Sequence, residues 1–273
     1  MSAPADGCQF INCSGQITLE NCLMEKHFDD CLNCHGIYMQ INRILDSHQV
    51  LARLVHHQQL GVPLFKPGES VEFINHETLL PRCRNRIVSF ESFSRSLAII
   101  RFEEPVDPSI QPLDCLESLD ACPDLTVQNC QFQKAFPRGL LITTRGHVLV
   151  ENNYFRTTAS AIHISGDCNS WFESGCVRDV TIRNNTFDHC GIAKDSRRTA
   201  NYNVINIVPE IPTPDSAKGF FHHNIRITNN RFICAHSHVL KAISTQGLIF
   251  QDNLIDIPDP IVTAVESETD INL

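Results

Sequence analysis

VLVENNYF (Val148–Phe155) and VTIRNNTF (Val180–Phe187) are two copies of one eight-residue phrase. Apolar and polar residues alternate with period two, the mark of a short, half-buried strand. The Asn pair then turns the chain, because Asn tolerates left-handed backbone and bonds its own main chain. The closing Phe re-enters the core. The phrase returns as LTVQNCQF (Leu125–Phe132), IRITNNRF (Ile225–Phe232) and LIFQDNLI (Leu248–Ile255), with an early copy ITLENCLM (Ile17–Met24).

From Phe132 the copies close at Phe155, Phe187, Phe232 and Ile255, spacings of 23, 32, 45 and 23 residues. A unit that repeats at such a period cannot bury its apolar face alone and must stack on its neighbours. The spacing predicts an all-β chain, a right-handed parallel β-helix with about 23 residues per coil. The two longer spacings predict loops at 166–177 and 191–222, set into ordinary coils on the binding face.

Residues 48–112 break the pattern. Short alternating strands and a Lys66-Pro67-Gly68-Glu69 turn predict a small antiparallel β-barrel. The expected division is first coils over 1–47, the barrel over 48–112 and the remaining coils over 113–273.

Composition fits a folded domain: 42% of residues are hydrophobic and 19% charged. The net charge of −9 argues against nucleic acid, which calls for a basic face, and suits a neutral ligand such as a sugar. No stretch approaches the roughly 20 apolar residues of a membrane span. The N-terminal Met-Ser-Ala-Pro-Ala-Asp lacks the basic and apolar regions of a signal peptide, which leaves a cytosolic chain or the downstream piece of a longer one. The thirteen cysteines have no framework spacing and read as small buried hydrophobes. Oligomeric state is open.

Two constellations carry chemistry. In the first, Asp6 and Asp29 stand 23 residues apart, one coil, so they are expected to stack at roughly 4.8 Å. Carboxylates that close repel, which raises one pKa and separates a proton donor from a base. Asp30 follows directly, and Asn33, His35 and Tyr38 complete a dense polar cluster. In the second, Asp167-Cys168-Asn169-Ser170-Trp171-Phe172-Glu173 sets the single Trp of the chain beside carboxylates. An indole face covers the apolar side of a sugar ring while polar groups take its hydroxyls. A loop anchor buried under the solenoid is the competing reading of Trp171, and solvated turn aspartates that of Asp6.

DDCLNCHGIY (Asp29–Tyr38), LLITTRGHVLVENNYF (Leu140–Phe155) and GDCNSWFESGCVRDVTIRNNTF (Gly166–Phe187) resemble glycoside hydrolase family 110 across nearly the whole chain. The resemblance implies an exo-acting α-galactosidase that removes terminal α-1,3-linked galactose, including the blood-group B determinant, with inversion and without a metal or other cofactor. It implies catalytic roles for Asp6, Asp29 and Asp30, with Asn33 and His35 beside them; Asp167, Trp171 and Glu173 of the second constellation are the further candidates to bind the sugar. Inversion needs two carboxyl groups about 6.5–9.5 Å apart. Stacked Asp6 and Asp29 are closer than that, so the pair spans two coils or includes Glu173. Family members are longer, usually secreted, and carry further coils upstream. The chain thus corresponds to the C-terminal part of their catalytic β-helix.

Other motifs carry less. Cys31-x-x-Cys34-His35 has the form of a haem attachment site but sits inside a strand repeat. The histidine pairs do not assemble three or four zinc ligands. Two other functions compete. A β-helix polysaccharide lyase would use Arg138 or Arg145 as base together with calcium, but no acidic cluster is spaced for that ion. A truncated, non-catalytic carbohydrate-binding protein would need no turnover.

Overall fold

The computed structural model describes residues 2–135, 137–193, 202–211, 218–234, 236–265 and 269–271. Three parallel sheets run the length of the solenoid. The first, which carries the site, takes Cys8–Ile11, Leu32–Ile37, Leu140–Thr143, Ile162–Ile164, Ile205–Ile207, His238–Ile243 and Ile261–Val265 in that order. The second contains the strands of the repeat, from Gln16–Glu20 to Thr269–Ile271, and the third the short strands after the Asn turns. Leu125 pairs with Val148, Val148 with Val180, Val180 with Ile225 and Ile225 with Leu248, so the copies stack one coil on the next at the expected spacings.

The two positions of the Asn turn do different work. The first takes the left-handed backbone: Asn21, Asn129, Asn152, Asn184, Asn229 and Asp252 have φ between 54° and 57°. The second points inward. Asn153 Nδ2 donates to Asn185 Oδ1, Asn185 to Asn230 and Asn230 to Asn253, each at 3.0 Å. This ladder satisfies buried amides that would otherwise cost free energy. Cys130 and Cys22 take the same position in the earlier copies. Beside the ladder Phe132, Phe155, Phe187 and Phe232 stack with centroids 4.9, 5.2 and 4.8 Å apart.

The barrel is closed by six strands, Met39–Ile44, Gln49–Arg53, Ser70–Ile74, Pro81–Ser92, Leu97–Phe102 and Cys115–Ser118. Closure removes the exposed edges of a small sheet. Its own core is built on Val50, Val71, Phe73, Ile100 and Phe102. The barrel leaves the solenoid directly after Leu32–Ile37, through the fully buried Tyr38, and the chain rejoins the repeat at Asp124–Gln128. Arg145, in the turn between two coil strands, is bonded to the buried barrel residues Glu72 and Glu117 at the junction.

Of the two expected loops, 166–177 contains a short strand, Glu173–Ser174, antiparallel to Leu32–Ile37. The stretch 191–222 includes the site-sheet strand Ile205–Ile207; its residues 194–201 and 212–217 lie outside the described residues. Seven cysteines are buried, among them Cys31 and Cys34, whose thiols burial pushes up to about 12. Both belong to the solenoid core, where the haem-like motif is ordinary packing.

Candidate active site

The site lies on the outer face of the first sheet. Period-two alternation sends Leu32, Cys34, Leu140, Ile142, Ile162 and Ile164 inward to the core. The intervening residues form a row across the coils, Gln9 opposite Asn33, Asn33 opposite Leu141 and Leu141 opposite His163. This row helps line a cavity of about 620 Å³, within the range of small-molecule sites.

The carboxylates enter from the bend before each strand. The pairing here is Cys8 with Leu32, a register of 24 residues, so Asp6 stands opposite Asp30 and not Asp29. This corrects the expected stack: the coil from Cys8 to Leu32 is one residue longer than the 23 of the repeat, and the extra residue lies in the turn between Cys8–Ile11 and Gln16–Glu20. Gly7 N donates to Asp30 O at 2.8 Å, and Asp30 N donates to Asp6 Oδ1 at 3.2 Å. Asp29 sits beside them on the bend, its side chain half exposed. Asp6, Asp29 and Asp30 each bring one carboxylate oxygen to within 4.8 Å of the others. Their spacing along the chain anticipates this group of three; it does not anticipate that the group is a cluster tight enough to be a candidate cation site. It is compact enough for a cation, but Asp30 already has a guanidinium as its counter-charge.

That guanidinium is Arg138, which extends the column. Leu140 pairs with Leu32, so Arg138 occupies the place on the third coil that Asp30 has on the second. Its Nε donates to Asp30 Oδ1 at 2.6 Å and its Nη2 to Oδ2 at 2.9 Å, the bidentate fork that favours Arg over Lys. Asp30 is only 1% exposed. Burial lifts its carboxyl to about 7 against the pull of Arg138, with Asp29 and Asp6 adding to the rise. Asp6 is raised too, by burial first and then by Asp29, while bonds from Asn33 and the Asp30 backbone oppose the rise. Groups coupled this closely titrate together, so the cluster retains a proton above the ordinary carboxylate range.

Glu173 faces the aspartates from the other side. Asn33 Nδ2 donates to Glu173 Oε1 at 3.4 Å and also bonds Asp6, so one amide spans both carboxylates. Glu173 is placed by its antiparallel pairing with Ile37. The next pair, Ser174 with Gly36, comes so close that a Cβ on Gly36 would lie 2.4 Å from Ser174 Oγ. Glycine is required there for close approach.

Asp167 is buried and caps its own loop. Its Oδ1 accepts from Asn169 N at 2.6 Å and from Ser170 N at 3.0 Å, and Oδ2 accepts from Trp171 N. The indole of Trp171 is 51% exposed, so it is not a buried anchor. His35 is buried behind Glu173, its Nδ1 2.8 Å from Gly36 O. The structure thus brings all eight expected residues to one region. Sequence reasoning missed Arg138 as a partner of Asp30, His163, and the barrel residue Gln58, which also lines the cavity. Aligning Leu140 with Leu32 would have exposed Arg138; nothing in the sequence pointed to Gln58.

Fold and cleft define the class: a parallel β-helix with an inserted barrel and a carboxylate-lined cavity. A family model, GLAA-B beta-barrel domain II, matches residues 49–116. Over 93% of its length the chain is 36% identical to Alpha-1,3-galactosidase B of Bacteroides thetaiotaomicron and 36% identical to Alpha-1,3-galactosidase A of Shewanella woodyi. It is 34% identical to Alpha-1,3-galactosidase B of Akkermansia muciniphila, again over 93%. The matched region is 41%, 41% and 32% of those relatives, so the chain spans less than half of their length. The resemblance to glycoside hydrolase family 110 therefore stands on the chain as a whole.

Proposed function

We infer that this chain carries the catalytic cleft of an exo-acting α-1,3-galactosidase, divided into first coils (1–47), barrel (48–112) and remaining coils (113–273), with the barrel's outer strands Met39–Ile44 and Cys115–Ser118 reaching past those bounds. The observation that supports it most is the convergence of Asp6, Asp29 and Asp30 on one cavity beside Glu173 and Trp171. A terminal galactose fits with its ring in the cavity and its glycosidic oxygen at the carboxylates. Asp6, partly buried and raised, is suited to hold the proton that goes to the leaving oxygen. Asp30, locked by Arg138, orients the cluster. Inversion requires a water between acid and base. The three aspartates stand too close together to admit one, so the base is Glu173, across Asn33.

The test is release of galactose from an α-1,3-linked digalactoside, with the first-formed anomer followed by NMR. β-Galactose as first product supports the reading, and no release by the protein overturns it. Glu173→Gln should cost roughly 100-fold or more in kcat, as expected for loss of a general base. The lyase reading loses its base: Arg138 is engaged by Asp30 and Arg145 by Glu72 and Glu117, and Glu117 above all holds Arg145 charged against its burial.

A further inference from the structure

The inner ladder of amides stops before the first two coils. Asn253, Asn230, Asn185 and Asn153 pass hydrogen bonds from coil to coil, and Asn153 Oδ1 accepts the next from Cys130 N at 2.8 Å. Beyond Asn153 the ladder position holds two thiols, Cys130 and then Cys22. Gln128 pairs with Glu20 and Gln131 with Leu23, so Cys22 and Cys130 stand in register on adjoining coils.

The two side chains stack. Each thiol donates to the carbonyl two residues back, Cys22 to Glu20 O at 3.3 Å and Cys130 to Gln128 O at 3.2 Å. The preceding residues share one left-handed backbone, φ 56° at Asn21 and 55° at Asn129, so both turns present the thiol on the same side. Cys22 N donates to Cys130 Sγ at 3.4 Å, and the two thiols lie within reach of each other. Neighbouring strands hold facing Cα atoms roughly 4.8 Å apart, and a disulfide spans Cα separations of roughly 4.4–6.8 Å. Access differs between the partners. Cys130 is 1% exposed, whereas Cys22 is half-buried between the exposed Asn21 and Leu23. A soluble reagent therefore meets Cys22 first. Cys8 also lies near Cys22 and is the rival partner.

We propose that Cys22 and Cys130 are a redox-active pair, which a low-molecular-weight disulfide oxidises to a covalent staple between the first coil and the second. The Cys22 thiolate attacks one sulfur of the small disulfide, whose S–S bond breaks; the released thiolate takes up the proton that Cys22 lost. The Cys130 thiolate then attacks the Cys22 sulfur of this mixed disulfide, and a second small thiol leaves with the proton of Cys130. Two protein thiols are oxidised, and one small disulfide is reduced to two thiols. The partners are 108 residues apart and the chain between them contains the whole barrel, so the staple closes a long loop across the insert. A cross-link restrains the unfolded chain more as the loop it closes lengthens. It also ties the coil that follows Asp6 to the coil that follows Asp30.

The experiment holds the full chain either in reduced glutathione or in a mixture of reduced and oxidised glutathione. Free thiols are then blocked with iodoacetamide and the protein is digested for mass spectrometry. Cleavage after Glu and Lys isolates Cys22 in residues 21–25, apart from Cys8 and Cys13, and Cys130 in residues 118–134, where fragmentation separates it from Cys122. In the oxidising mixture these two peptides should appear joined through Cys22 and Cys130. The thermal midpoint should rise by roughly ten degrees, the scale for a cross-link that closes about 100 residues. Cys22→Ser should abolish both the joined peptide and the rise, and Cys22→Ala, which keeps a small apolar side chain at the core edge, should do the same. Cys22 found joined to Cys8, or carrying glutathione with no joined peptide, overturns the proposal. So does a joined peptide without a rise in the midpoint, or a rise that survives in both variants.

Discussion

Arg138 grips Asp30 through two parallel hydrogen bonds, 2.6 and 2.9 Å long, between residues 108 apart in sequence and one coil apart in space. The pair orients the carboxylate cluster and joins the second coil to the third. Without Arg138 the buried Asp30 takes up a proton and loses two donors, which typically costs about 1–3 kcal/mol. Arg138→Leu should lose stability on this scale by chemical denaturation, together with galactose release. Arg138→Lys keeps the charge but not the fork, and should fold while still losing most of its kcat.

The cluster also makes stability depend on pH. Asp30 sits near 7 in the folded chain, above its ordinary 3.8, so between those values the folded state binds the extra proton. Its contribution is fully present below pH 3.8 and is lost as pH rises through about 7. The thermal midpoint should therefore fall between pH 5 and pH 8. Asp6→Asn removes one raised carboxyl and one of the charges that lift Asp30, and should flatten this dependence.

Gly36 tests the placement of Glu173. In Gly36→Ala the new methyl meets Ser174 Oγ at 2.4 Å and Ser174 O at 3.3 Å, so the strand that carries Glu173 has to shift. A displacement near 1 Å can cost on the order of 100-fold in rate. Activity should fall on that scale with little change in the thermal midpoint, and the added change Ser174→Gly should restore part of it.

The solenoid's inner ladder is tested by Asn185→Ala. Asn185 links Asn153 to Asn230 and holds the Val150 carbonyl at 2.9 Å. Each buried group left unsatisfied costs about 1–3 kcal/mol. Phe187→Ala next to it should cost about 3–5 kcal/mol by leaving a gap in the aromatic stack. Urea titrations would show both, and a change below about 1 kcal/mol for either would contradict the packing described here.

The solenoid was legible because each coil repeats its local code: Asn152, Asn184 and Asn229 turn the chain, and Phe155, Phe187 and Phe232 follow at the repeat spacing. Asp29, Asp30 and Trp171 were legible as dense local motifs. What the sequence concealed was non-local. One extra residue in the turn between Cys8–Ile11 and Gln16–Glu20 moved the partner of Asp6 from Asp29 to Asp30. The barrel separates Arg138 from Asp30 along the chain, so the column they share is visible only once Leu32 and Leu140 are paired. His56, Gln58 and Gln59 reach the cleft through the tertiary fold of the barrel, and no local pattern marks them.

The junction at Tyr38 separates two kinds of change in the cleft. The strand Leu32–Ile37 carries Asn33 and His35 and runs almost without interruption into the barrel strand Met39–Ile44. A short turn at 56–59, far from the aspartates in sequence, borders the cleft. Substitutions in that turn leave the aspartates in place, so the wall of the cleft can change while its carboxylate cluster stays fixed.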